Sequence, residues 1–308
     1  MKGFLYRCFK RMGWINTLSA CFYIIYFIVM VLTWQTLRWN ELQLVLPLLA
    51  LTAIYAVGWG IFHYKKKGNS NPVRELEYQR KRFIKHFLWM MPIIIIYENI
   101  RFFGQTNLQD PLMYRADQWL TGEIPSILAQ HIYSNLLTEI MSFSYFIYFF
   151  TPLPFIYLYC KKKFKLIEKI LFAILFSHYI ALMLYIALPV EGPKYYYASD
   201  FTQNVGGCLF TDFNMWVYET VRSSTTDCFP SMHVGLFLVI SYYLYRYNWR
   251  TLYFMVPVTL MMSASTLYLR YHYLIDIIAA IFLVVLTVLF TRYSSKWWKR
   301  TFINSHDV

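Results

Sequence analysis

Long apolar runs separated by short polar clusters dominate this chain of 308 residues. Crossing about 30 Å of hydrocarbon takes roughly 20 apolar residues in a helix. Eight runs meet that requirement, near 14–36, 42–64, 83–100, 138–160, 166–189, 230–247, 251–269 and 271–292. Each predicts a membrane-spanning helix, because in lipid the backbone must satisfy its own N–H and C=O groups. The expected fold class is therefore all-α, a polytopic membrane helix bundle of about eight transmembrane helices. The polar segment KKKGNSNPVRELEYQRKR, 65–82, carries Gly, Asn and Pro and marks a seam. It divides an N-terminal two-helix membrane hairpin, residues 1–70, from a larger membrane domain, residues 71–308. Two connecting segments are long, 101–137 and 190–229. The stretch DPLMYRADQWLTGEIPSILAQHI in the first reads as an interfacial amphipathic helix or a re-entrant piece.

Composition agrees with this pattern and adds an orientation. The chain is 58% hydrophobic and only 15% charged, which speaks against a soluble globule of this size. Its net charge of +13 is a matter of topology. With the N-terminus inside, 23 of the 29 Lys and Arg residues fall on the inner side, as the positive-inside rule requires. Both termini are thus expected in the cytoplasm. No basic patch interleaved with aromatic residues stands apart from those loops, so nucleic acid is not an expected partner. The first run spans about 23 residues without a small-residue cleavage site, which makes it an anchor and not a signal peptide.

Candidate chemistry gathers at the outer ends of the later runs. Residues 228–235, CFPSMHVG, put Pro230, Ser231 and His233 in the first turn of the sixth span. Backbone N–H groups there lack helical acceptors, and with the helix dipole they form a place for a phosphate. Pro is favoured at the first helical position. At the start of the eighth span, RYHYLIDIIAA places His272 four residues before Asp276, hence on one helical face. A carboxylate that accepts from one imidazole nitrogen leaves the other free as nucleophile or base. The segment PVEGPK ends the fifth span with Lys194 on the outer side.

Plainer roles exist for each of these. A histidine at a helix end serves as an interfacial hydrogen-bonder, and a lone lysine says little. Two histidines and an aspartate could bind zinc, but no His or Cys stands at ligand spacing beside them, so no metal is expected. His178 in the fifth span reads as a helix–helix hydrogen bond, and Glu98 with Arg101 as a local ion pair or a headgroup contact. A transporter with an outer polar gate is the alternative function. Its usual mark, paired Gly/Pro-interrupted helices in related halves, is not evident.

At these motifs the sequence resembles the type 2 phosphatidic acid phosphatase superfamily, which shares a helical core with vanadium haloperoxidases. The family's Pro-Ser-Gly-His motif matches Pro230, Ser231, Met232 and His233, and its His-x-x-x-Asp ending matches His272 to Asp276. The resemblance implies that His272 is the nucleophile forming a phosphohistidine, Asp276 its orienting carboxylate and His233 the acid for the leaving oxygen. It implies a six-helix core over about 83–292, no cofactor, and phosphate binding by Lys194, Arg270 and Ser231. Substrates would be membrane lipids: a phospholipid, a polyprenyl diphosphate or a sphingolipid. The third motif normally opens Ser-Arg, whereas here Thr266 follows Ser265 and the nearest arginine is Arg270. The family's Lys-x6-Arg-Pro motif is absent in that form. Met232 in place of glycine, the His-Tyr-x-x-Asp ending and the extra N-terminal spans look like the branch of inositol phosphorylceramide and sphingomyelin-type synthases. That branch passes a phosphoryl headgroup to a lipid hydroxyl in place of water.

Cysteine placement adds one expectation. Cys208 and Cys228 both fall on the outer side, where an oxidising compartment permits a bridge. A disulfide across that loop would be worth about 3 kcal/mol in the chain-entropy model.

Overall fold

The structure is a computed structural model that describes residues 6, 9, 10, 12–33, 107–221 and 226–303, with isolated positions between 81 and 103. The second expected span, 42–64, lies outside the described residues, as do Glu98, Arg101 and all but Lys81 of the seam at 65–82. The chain divides into two compact units, Met1–Gly104 and Gln105–Val308. In the first, helix α1 (Trp14–Leu32) buries Ile15, Ser19, Phe22 and Tyr26 along one stripe. Its Tyr26 ring meets Phe103 edge-on at 5.8 Å.

The second unit holds α2 (Asp110–Thr121), α3 (Asn135–Phe146), α4 (Leu153–Cys160), α5 (Phe164–Ala187), α6 (Leu209–Trp216), α7 (Met232–Tyr247), α8 (Leu252–Tyr268) and α9 (Leu274–Trp298). Among the described residues four helical stretches are long and apolar enough to cross a membrane: Trp14–Leu32, Phe164–Ala187, Trp249–Tyr268 and Leu274–Ile303. A fifth arises where Asn135–Phe150 and Leu153–Cys160 form one stretch bent by 42°. The run at 138–160 is thus one span by length but not one straight helix. Pro152 lies at the break, where a missing N–H and a ring pressing on the preceding turn interrupt helical bonding. The chain is an all-α membrane protein.

Helix α7 is the centre of this unit, touching α5, α8 and α9. On α9 the inward stripe runs through Asp276, Ile277, Ala280, Leu283, Thr287 and Thr291, while Phe282, Val285, Leu286 and Leu289 are exposed. That distribution reverses a soluble helix, because the outward face meets hydrocarbon and needs no polar groups.

Glu139, in the first turns of α3, fastens the short helix α6 beside it. Its carboxylate accepts from the N–H of Cys208 at 2.8 Å, of Phe210 at 2.6 Å and of Thr211 at 3.3 Å, and from the Thr211 hydroxyl at 2.8 Å. Gly207 permits this approach, since a Cβ there would stand 2.0 Å from Thr211 Oγ1. The pairing satisfies otherwise orphaned donors of the α6 first turn from outside the helix.

Candidate active site

The two histidines reach the site differently, His233 from the first turn of a helix and His272 from the turn before one. Helix α7 starts at Met232 with Ser231 as its N-cap, so Pro230 precedes the helix by two positions and does not occupy its first turn. Helix α9 starts at Leu274, and His272 sits in the turn before it. The expected pairing across one helical face is therefore made differently. Asp276 is the third residue of α9, and its Oδ2 accepts from the Tyr273 N–H at 2.8 Å, which turns the carboxylate back over the turn. There it lies 3.2 Å from His272 Nδ1.

The two motifs then meet. His233 Nδ1 lies 3.3 Å from His272 Nε2, and His233 Nε2 lies 2.8 Å from the Tyr145 hydroxyl of α3. A carboxylate only accepts, so with Asp276 ionised and both rings neutral a single proton assignment fits these three contacts. Tyr145 O–H donates to His233, His233 Nδ1–H donates to His272 Nε2, and His272 Nδ1–H donates to Asp276. Parted from His233, Nε2 is a free lone pair, the form a nucleophilic imidazole needs. The Ser231 N–H donates to the Asp276 carbonyl at 3.1 Å, which ties the starts of α7 and α9 together.

Two carboxylates that sequence reasoning passed over hold these turns in place. Asp110 and Asp117 of α2 are both fully buried. Asp117 accepts from the N–H groups of Leu274 at 2.7 Å and Ile275 at 2.8 Å, capping α9 from a neighbouring element. Asp110 accepts from Glu191 N at 2.9 Å, Gly192 N at 2.8 Å and the Tyr273 hydroxyl at 3.0 Å. Burial raises both carboxyls above the usual range, Asp117 to about 6, although the backbone donors pull the other way. The available signal was their spacing: seven residues apart, they share a helical face with buried Met113.

The remaining expected residues divide. Ser231 is fully buried, and its Oγ has no hydrogen-bond partner among the described residues. Lys194 is fixed by its backbone N–H to the Arg270 carbonyl at 2.9 Å. Its Nζ stands over the rings of Tyr218 at 4.9 Å, Tyr271 at 5.2 Å and Tyr195 at 5.5 Å. Tyr218, just beyond α6, stacks on Tyr271 at 4.1 Å, so this cation lies beside the residue that precedes His272. Arg270 serves elsewhere. Its Nε donates to the Tyr133 hydroxyl at 3.0 Å, Nη2 donates to the Gln203 carbonyl, and the guanidinium lies 3.9 Å from the Phe201 ring centre. Those bonds brace the 201–203 segment, and a phosphate would have to compete for them.

Two expectations are corrected. Cys208 and Cys228 are both free thiols, not a disulfide. Cys208 is exposed at the start of α6, whereas Cys228 is buried against His272 and Asp276, with its Sγ 3.0 Å from Asp276 Oδ2. His178 makes its Nδ1 bond at 2.8 Å to Ile174 O, one turn back in its own helix, and this nitrogen does not bridge helices.

A membrane-embedded helical bundle with a His–His–carboxylate centre at its helix starts is the class this geometry defines. A family model described as the PAP2 superfamily matches residues 112–290, more than half of the chain. The chain belongs to that superfamily, whose phosphatase-type enzymes act on phosphate esters of lipids. No curated protein and no solved structure matches it.

Proposed function

We propose that this protein cleaves a phosphate ester or anhydride of a membrane lipid through a phosphohistidine on His272. The observation that carries the reading is the continuous chain Tyr145–His233–His272–Asp276, which supports Nε2 of His272, the proton-free nitrogen of that ring, as the nucleophile. The 3.3 Å contact between the rings closes the line along which phosphorus approaches Nε2, so substrate binding has to part them. Parted from His272, His233 takes up a proton from solvent as imidazolium; Nε2 of His272 then attacks phosphorus in line, the bond to the leaving oxygen breaks, and His233 gives that oxygen its extra proton and returns to the neutral ring. Asp276 balances the positive charge that grows on the His272 ring.

The equatorial phosphate oxygens carry negative charge that preorganised donors stabilise. Lys194, the Ser231 hydroxyl and the first-turn N–H groups of α7 are the assigned donors. Helix geometry leaves those N–H groups without intrahelical acceptors. In the second half-reaction an acceptor oxygen attacks the phosphohistidine, with His233 now taking its proton. Water makes the enzyme a phosphatase, and a lipid hydroxyl makes it a phosphotransferase of the inositol phosphorylceramide synthase kind. The positive-inside pattern supports cytoplasmic termini and a site on the opposite face. Residues 1–70 form an added hairpin in this reading, and 71–308 the catalytic domain.

The test uses purified full-length protein and labelled phosphatidic acid, polyprenyl diphosphate and phosphatidylinositol, each with and without ceramide or diacylglycerol. Phosphate release without a lipid acceptor identifies a phosphatase, and product that requires the lipid hydroxyl identifies a transferase. His272→Ala is expected to abolish either turnover. Activity in that variant comparable with wild type would refute the phosphohistidine.

A further inference from the structure

We infer that Cys228 is a positioning residue of the histidine centre: its thiol donates to the Asp276 oxygen that holds His272 and so sets the basicity of that imidazole. The inference rests on His272 being the nucleophile and concerns how its carboxylate is tuned.

Backbone pairing aims the thiol. Cys228 N–H donates to Val190 O at 3.1 Å, beside a parallel bridge between Val190 and Asp227. The residue is 2% exposed, and its Sγ lies 3.0 Å from Asp276 Oδ2, 3.2 Å from His272 Nδ1 and 3.2 Å from the Tyr271 carbonyl. Gly192 makes the room, because a Cβ on its backbone, at φ +99°, would come within 3.1 Å of Sγ and 3.0 Å of Tyr271 O.

Proton bookkeeping limits what the thiol does. Nδ1–H is already directed at the carboxylate, so the thiol has no lone pair on that nitrogen to address. Its proton goes to an oxygen, and Oδ2 is the nearer and the charged one. Tyr273 N–H, Nδ1–H and S–H then converge on Oδ2, while Oδ1 of the same fully buried carboxylate has no partner among the described residues. A donor placed on Oδ2 withdraws charge from the atom that stabilises imidazolium. The thiol thereby keeps His272 less basic and neutral to lower pH, and it keeps the carboxylate from rotating Oδ1 into the place of Oδ2. The plainer role is a small apolar filler, since Cys228 also packs with Met113, Ile124, Val190 and Tyr273. A filler would not shift a titration.

The experiment is the pH profile of kcat and kcat/KM in purified wild type, Cys228→Ala and Cys228→Ser, with the substrate the lipid panel identifies. Removing one hydrogen bond to a charged group is expected to lower kcat about tenfold in Cys228→Ala. KM should stay within about twofold, because the thiol does not touch substrate. The acidic limb should move to higher pH as His272 gains basicity, and serine, which restores a donor, should return it toward wild type. Coincident profiles for all three proteins, or equal losses in Ala and Ser with an unmoved limb, would overturn the inference. An independent reading needs no folded alanine variant. The infrared S–H stretch of wild type should contain a component lowered by hydrogen bonding to a carboxylate, and Asp276→Asn should raise it. An S–H spectrum unchanged by that substitution overturns the inference as well. An active His272→Ala enzyme would instead sink the underlying mechanism while leaving the S–H reading intact.

Discussion

Asp117 poses a contest between two effects of opposite sign. Its carboxylate caps the first turn of α9 through Leu274 and Ile275, and bonds and dipole there favour negative charge. It is also fully buried, which disfavours that charge. Burial wins, because the group is pushed up to about 6 against an unfolded value near 3.9. A group whose pKa is raised on folding contributes stability that is fully present below the unfolded value, near pH 4. That contribution is lost as pH rises through the folded value near 6. A shift of about two units corresponds to on the order of 3 kcal/mol.

Asp117→Asn keeps the shape and one of the two accepting oxygens, so it starts one cap bond short of wild type, but it cannot ionise and should gain on wild type as pH rises. Comparing the two from pH 4 to pH 7 in one detergent, the thermal midpoint of the variant should climb relative to wild type by about 6 °C, at about 2 °C per kcal/mol. Asp117→Ala should be destabilised throughout, because two first-turn N–H groups lose their acceptor at about 1–3 kcal/mol each. A variant that falls behind wild type between pH 4 and pH 7 would refute the reasoning. It would show that the cap outweighs burial and that Asp117 is an ordinary ionised N-cap.

Two further predictions address the histidine chain. Asp276→Asn should leave the fold near wild type, since an amide oxygen still accepts from the Tyr273 N–H, yet lower kcat by at least about a hundredfold as His272 loses its charge-balancing partner; unchanged steady-state kinetics would remove Asp276 from the site. Tyr145→Phe frees Nε2 of His233 and should lower kcat about tenfold, the loss of one oriented hydrogen bond, with a normal thermal midpoint; unaltered turnover would show that the helix alone fixes the His233 ring.

What the sequence revealed and what it concealed follow from the range of the interactions. Apolar runs are local, so among the described residues the helices at 14–36, 166–189, 251–269 and 271–292 could be read off directly, whereas 138–160 breaks at Pro152 and 230–247 forms a helix of only 16 residues. The meeting of His233 with His272 followed from both residues standing at helix starts on one expected side. Capping is different, because its partner may come from anywhere in the chain. Asp117 lies 157 residues from Leu274, and Asp110 lies 81 from Glu191, distances over which no periodicity carries information. The partners of Arg270 were hidden for a related reason. Positive charge beside a catalytic motif suggests phosphate, but the guanidinium meets Tyr133 and Gln203, and those partners emerge only from the packing of 201–203.

The cysteines were misread through compartment, which tells whether a bridge is chemically permitted and nothing about where each Sγ points. Backbone pairing of Cys228 with Val190 turns its thiol toward Asp276, and α6 carries Cys208 away to an exposed cap. A disulfide would therefore have to take Sγ from the carboxylate and leave Oδ2 with the Nδ1–H and Tyr273 N–H donors alone. Bridge and tuned imidazole are alternatives for one sulfur atom. A substitution that draws the Cys228 thiol away from Oδ2 would thus act on the carboxylate that holds His272, whatever it did to the loop between Cys208 and Cys228.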